Sequence, residues 1–223
     1  MIQGGRRGSW GTTSDARVRS TSDLRRAVTY VVYGELAFLF FTAVSVALHP
    51  GFVLKWDEGG MSNYGLHIKT AVPYTLALVL LSVYSRRAAL LYADGDGRSR
   101  RLSVMLSIYS AVVLSVMVST YFYSLNNTLK DIHFTFGTLL VVVVGVSSLW
   151  MYQLWPPTIS VRLLLVVQLC GDVMALLTVV SGLHILFAAE MLSNVGFASL
   201  VVRTGRRVAA EDDETDSLCP MTT

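Results

Sequence analysis

The chain has 223 residues, of which 53% are hydrophobic and only 15% are charged. Soluble domains average about 25% charged residues, so this composition argues against an ordinary soluble protein. The formal net charge of +3 comes mostly from arginines that flank apolar segments. This placement points to orientation in a membrane and argues against nucleic-acid binding.

The chain begins with a basic arm, residues 1–26, which is rich in Gly, Ser, Thr and Arg. This arm buries too little apolar surface to offset its ordering entropy, so it is predicted to be disordered. The first predicted span covers about 27–48. The small residues Ser45-Val46-Ala47 have the spacing of a signal-peptidase site. The apolar region nevertheless exceeds the roughly 7–15 residues of a signal peptide, so we expect an uncleaved helix.

A long loop from His49 to His67 follows the first span. Its glycines permit tight turns, and its aromatic residues suit a membrane interface. One interpretation is an ordinary interfacial loop with aromatic anchors. The other is a lid or headgroup-binding element, in which the following side chains would act as ligands or proton carriers: His49, Asp57, Glu58 and His67.

Five further apolar segments are long enough to cross the bilayer, which requires roughly 20 residues. They cover about 68–85, 102–125, 134–154, 160–181 and 183–202. A turn at Ser181-Gly182 separates the last two spans as a hairpin. The six-helix domain therefore occupies residues 27–207, and an acidic tail, residues 208–223, is predicted to be disordered.

Basic residues are distributed very unequally between the two sides of these spans. All fifteen arginines fall on the side of the chain ends, and the three lysines, Lys55, Lys69 and Lys130, fall on the other. The positive-inside rule then places both termini in the cytoplasm. The predicted fold is an all-α, polytopic membrane helical bundle of six transmembrane helices, multi-pass in the cell membrane.

Neither a metal nor a cofactor is predicted. Cys170 lies in an apolar run and Cys219 in the tail, and no C-x-x-C spacing occurs. No nucleophile elbow, P-loop or H-E-x-x-H signature is present, so catalytic residues stay unassigned. The sequence does not decide whether the protein is an enzyme.

Three ionisable side chains lie within predicted spans: Glu35, Asp172 and Glu190. Such residues cost about 2.5–3.5 kcal/mol on insertion scales, so each is a candidate functional group. Asp172 and Glu190 are equally far from the hairpin turn, at a depth of about 13 Å given a rise of 1.5 Å per residue. Gln168 and Asn194 match in depth as well, and His184 lies near the turn.

These positions predict a polar seam between the last two helices, opening outward near His184. Two carboxyl groups at one depth would share a proton, as a relay or an acid–base pair requires. The alternative is that these groups join the helices by hydrogen bonds worth roughly 0.6 kcal/mol each. Glu35 is predicted nearer the cytoplasmic side, and its partner is not identified.

The six-span layout resembles the Frag1/DRAM/Sfk1 family. Met61-Ser62-Asn63-Tyr64-Gly65 is similar to the short I-S-D-T-G motif of that family's first outer loop, with Asn63 in place of the acidic residue. His133 and Gly137 match its His and Gly near the start of the fourth span, and Glu190 matches a Glu in its last span. The resemblance implies a lipid-related role at the outer leaflet.

Three functions are compatible with these features. The first is lipid binding or remodelling at a site comprising Ser62, Asn63, His67, His133, Asp172, His184 and Glu190. The second is proton-coupled transport through Asp172, Glu190 and Glu35. The third is a partner subunit whose polar seam binds another membrane protein. The expected partners are thus membrane lipid or another membrane protein, and not nucleic acid.

Overall fold

The computed structural model describes residues 12–54, 60–154, 158–181 and 185–217; at residues 12–21, 54, 179–181 and 212–217 it describes the backbone alone. The described part of the chain is all-helical. Its elements are α1 (Thr12–Leu48), α2 (Gly51–Leu54), α3 (Ser62–Leu66), α4 (Ala71–Tyr92), α5 (Gly97–Thr120), α6 (Asn127–Gln153), α7 (Ile159–Ser181) and α8 (Leu186–Ser217).

Six of the described helices are long and apolar enough to cross a membrane, namely α1 and α4 to α8. This confirms the predicted all-helical architecture with six spans, as expected of an integral membrane protein. The six spans form a ring, because α1 packs against α4 and α8, and the successive spans from α4 to α8 pack against one another. Smaller contacts join α8 to α5 and α6. One end of the bundle carries α3 and the start of α4, α6 and α8. We call it the α3 end.

Several helices extend beyond their predicted bounds. The chain is helical from Thr12, and α8 continues to Ser217, although disorder was expected at both ends. A helix that is already nucleated within a span adds further turns at little cost. An exposed ion pair between Arg98 and Glu211, at 2.5 Å, joins this extension of α8 to the start of α5.

Capping residues explain the shifted bounds of α5 and α6. Asp96 accepts a hydrogen bond from the backbone N–H of Ser99 at 2.8 Å, and Asn126 accepts one from Leu129 at 2.9 Å. Each side chain satisfies an N–H group that has no partner within the helix. The two helices therefore begin about five to seven residues before the apolar segments by which they were predicted.

Small side chains lie where the helices approach each other most closely. Ala77, Ala88 and Ala89 of α4 are fully buried, and Ser82 meets Ser110 of α5 through a hydroxyl hydrogen bond of 2.8 Å. Small residues permit close packing of helices in a membrane, where association gains little from the hydrophobic effect. In contrast, α6 is the least buried of the six spans. The ring is therefore most loosely packed around α6.

Candidate functional site

The loop before α3 is held against α8 by Glu190. The backbone N–H of Met61 donates to Glu190 Oε2 at 2.8 Å. Gly60 precedes it with a φ of +49°, a conformation that favours glycine. A Cβ atom at this position would lie 2.7 Å from Glu190 Oε2. A span carboxylate thus anchors the loop through the backbone.

Ser62, the first residue of α3, is paired with His133 of α6. The distance from Ser62 Oγ to His133 Nε2 is 3.0 Å, and His133 Nδ1 lies 2.9 Å from Ser119 Oγ of α5. All three residues are buried. The three side chains form a continuous hydrogen-bonded chain that connects α3, α6 and α5.

The neighbouring bonds favour one direction for this hydrogen-bonded chain. Ser119 donates its single hydroxyl proton to the Val116 carbonyl at 2.9 Å, so its oxygen can only accept from His133. His133 also interacts with the Val116 carbonyl, which is likewise an acceptor. These acceptors favour the neutral tautomer with the proton on Nδ1, in which the Nε2 lone pair accepts the Ser62 hydroxyl.

An aromatic contact fixes the plane of the His133 ring. Tyr123 stacks on it with a centroid distance of 4.8 Å and an interplanar angle of 17°. The Tyr123 hydroxyl donates to Asn63 Oδ1 at 3.3 Å. Stacking from Tyr123 and the bonds to Ser62 and Ser119 together leave the imidazole little freedom to rotate.

Asp172 and Glu190 have different hydrogen-bond partners in the described part of the chain. Asp172 accepts from Gln168 on the same helix and from Ser193 Oγ of α8 at 2.5 Å. The two carboxyl groups that were expected to share a proton are thus satisfied separately. The bond from Ser193 to Asp172 crosses the hairpin, as the alternative of helix association requires.

Glu35 is bonded to Asn194, a partner that the sequence did not identify. Asn194 Nδ2 donates to Glu35 Oε2 at 2.8 Å, and its Oδ1 accepts from Tyr109 at 3.0 Å. Asn194 therefore connects α1, α8 and α5. Equal depth predicted that Asn194 lies opposite Gln168. The rotation of α8 about its axis instead directs the Asn194 amide towards α1 and α5.

The predicted site residue His67 lies elsewhere. His67 belongs to an aromatic cluster, at 4.5 Å from the His49 ring and 5.7 Å from the Phe52 ring, and the structure does not bring it together with His133. His184 lies outside the described residues, as do Asp57 and Glu58 of the loop. The site therefore consists mainly of Ser62, His133 and Glu190, together with the groups that hold them.

A cavity of about 140 Å³ adjoins these residues between α6 and the α7–α8 pair. Its polar groups are Ser62, Tyr109, His133, Thr138, Glu190, Ser193 and Asn194. Apolar side chains of α6 form much of the opposite wall, among them Phe134, Leu140, Val141 and Val144. The cavity is consequently amphipathic, with most of its polar groups on the side of α3 and α8.

Ser119, Tyr109, Tyr123 and Ser193 belong to the site but were not predicted as site residues. Ser119 is one of five serines within residues 103–119, and their spacing does not distinguish it from the others. Spacing within one helix carries no information about Ser119 and His133, because their contact depends on how α5 and α6 are rotated. Among the described residues, no group of three His, Cys, Asp or Glu is placed to hold a metal ion.

Comparison of the chain with protein-family models, with curated proteins and with solved structures finds no match.

Proposed function

We propose that this protein binds a membrane lipid in the cavity beside α6. The observation that carries the proposal is the cavity itself, which has hydrogen-bonding groups along α3 and α8 and an apolar wall from α6. With the arginine-rich side in the cytoplasm, the α3 end faces outward and the lipid comes from the outer leaflet. The resemblance to the Frag1/DRAM/Sfk1 family, which is carried by some of the same residues, also favours a lipid-related role.

The volume of the cavity limits which part of the lipid it accepts. Engineered cavities of about 150 Å³ hold a benzene-sized molecule, so about 140 Å³ suits a short length of acyl chain or a polar linkage. The rest of the lipid would extend past α6 into the bilayer. The low burial of α6 supports lateral entry at this point, because few contacts must be broken.

The two alternatives from the sequence have less support. A proton path through Asp172, Glu190 and Glu35 would need these groups in one hydrogen-bonded chain, whereas each accepts from separate donors. A partner subunit would present its polar seam to another protein. Asp172 and Gln168 are instead buried within this chain.

Native mass spectrometry after detergent extraction tests the proposal. Gly137 lines the cavity, and a Cβ atom there would meet nothing within 4 Å. Gly137→Leu should therefore fill the cavity without disturbing the fold. We expect the wild-type protein to retain a discrete lipid, and the variant to lose most of it.

Leu139→Phe is the matched control, because Leu139 is 42% exposed on α6 and does not line the cavity. It adds bulk two residues away and should leave the lipid bound. Wild-type protein that carries no lipid would contradict the proposal, and so would equal retention of lipid by both variants.

A further inference from the structure

The pairing of Ser62 with His133 exceeds what lipid binding requires. A binding site needs only hydrogen-bonding groups that face the ligand. Here the imidazole is held by stacking and by a bond at Nδ1, so that its free lone pair at Nε2 faces one hydroxyl at 3.0 Å. A nucleophile, a base within hydrogen-bond reach and a third group that orients the base are the features of an activated serine.

Both members of the pair are accessible from the cavity. Ser62 and His133 line it, together with apolar side chains of α6. An acyl chain along Phe134, Val141 and Val144 would place its carbonyl end near the polar side of the cavity. The Tyr74 hydroxyl interacts with Ser62 as well as with Thr120, so a second polar group lies beside the nucleophile.

We propose that Ser62 is the nucleophile of an acyl-transfer reaction on an ester-linked membrane lipid, with His133 as its general base. This inference rests on the proposed function, because the lipid must occupy the cavity for its ester to reach Ser62. Ser119 is a positioning residue that orients His133 through Nδ1. The substrate class is a lipid with an acyl ester, and the acceptor is water or a lipid alcohol.

The reaction proceeds in two balanced steps. Ser62 Oγ attacks the ester carbonyl carbon while His133 Nε2 takes the hydroxyl proton. The bond from this carbon to the ester oxygen then breaks, and the departing lipid alcohol takes the proton from His133. The acyl group is now on Ser62. A water or alcohol molecule, deprotonated by His133, attacks the acyl-serine, and Ser62 regains its proton as the fatty acid or new ester leaves.

Labelling with an alkyl fluorophosphonate tests this proposal, because such a reagent phosphonylates an activated serine. The full chain in detergent would be treated with a decyl reagent, and the adduct located by intact-mass and peptide mass spectrometry.

We expect a single adduct, on Ser62. Ser62→Ala should abolish it, and His133→Gln should slow it by about 100-fold or more, since Gln can bond Ser62 but cannot accept its proton. A methyl reagent should react at least about tenfold more slowly, because it buries less apolar surface.

Ser110→Ala is the control, because Ser110 is a buried serine that is bonded to Ser82 and does not line the cavity. It should be labelled like the wild type. Size-exclusion profiles and bound lipid would show that each variant is folded.

No adduct on a wild-type protein that retains lipid would overturn the acyl-transfer proposal and leave lipid binding intact. An adduct that persists in Ser62→Ala would also overturn it. An adduct on Ser62 without retained lipid would support acyl transfer and contradict stable binding.

Discussion

At the scale of single residues, the site depends on the loop before α3, whose residues cannot change conformation without losing a contact. Gly60 combines a left-handed backbone with close contact to Glu190, and the Met61 N–H that follows is satisfied by that carboxylate. An unsatisfied backbone donor away from water is costly, so this bond fixes the loop. The loop in turn determines where Ser62 lies relative to His133.

Gly60→Ala should therefore destabilise the protein by about 2–4 kcal/mol. Roughly 1–2 kcal/mol arises from the left-handed conformation, and the remainder from the Cβ contact with Glu190. The measurement is thermal unfolding in detergent, with Gly97→Ala as the control, since a Cβ at Gly97 meets nothing within 4 Å. Equal melting temperatures for the two variants would show that the loop is not anchored in this way.

At the scale of helices, close backbone approach connects α7 to α8. A Cβ atom on Gly171 would overlap the Ser193 backbone nitrogen and lie 2.8 Å from the Ala189 carbonyl oxygen. Backbone atoms cannot rotate out of the way, unlike a flexible side chain. This contact also brings Ser193 within reach of Asp172, which explains why Asp172 bonds to Ser193 and not to Glu190.

Gly171→Ala should separate α7 from α8 and lower the free energy of unfolding by about 1–3 kcal/mol, the usual cost of overpacking. Gly137→Ala, in open space on α6, should be neutral or slightly stabilising. Unfolding in bilayer-mimicking detergent would measure both. Similar stability of the two variants would mean that α7 and α8 are not closely packed at Gly171.

At the scale of the whole molecule, an apolar surface surrounds an interior that contains buried polar groups within a hydrophobic core. Large hydrophobic side chains such as Leu36, Phe40 and Val146 are more than half exposed, whereas Gln168 and Asp172 are buried. This distribution of side chains is stable where hydrocarbon surrounds the protein in place of water. The charges that flank the spans then determine the orientation of the protein in the membrane. The six spans and the concentration of arginines on one side of them predict that the α3 end faces away from the cytoplasm.

Cysteine labelling in intact cells checks this orientation. In a chain with Cys170 and Cys219 replaced by serine, Ser124→Cys lies at the α3 end and Asp94→Cys at the opposite end, and both positions are exposed. A membrane-impermeant maleimide should label Ser124→Cys directly, and Asp94→Cys only after permeabilisation. The reverse pattern would place the termini outside and refute the outer-leaflet assignment.

The sequence alone determined the number of spans and their approximate limits, because apolar length is a local property that the bilayer thickness fixes. It also selected Asp172, Glu190 and Glu35, since ionisable groups are rare and costly within a span. Ser62 and His133 became candidates through the resemblance to the family motif. Local capping by Asp96 and Asn126 accounts for part of the error in helix bounds.

Only the tertiary structure decided which of these groups meet. Ser62 and His133 are 71 residues apart, and their contact depends on the path of the loop and the rotation of α6. Predicted depth orders the polar groups along each helix, but it leaves the angle about the helix axis undefined. Residues advance about 100° around a helix, so Asn194 could meet Glu35 on α1 while Ser193, its neighbour, met Asp172 on α7.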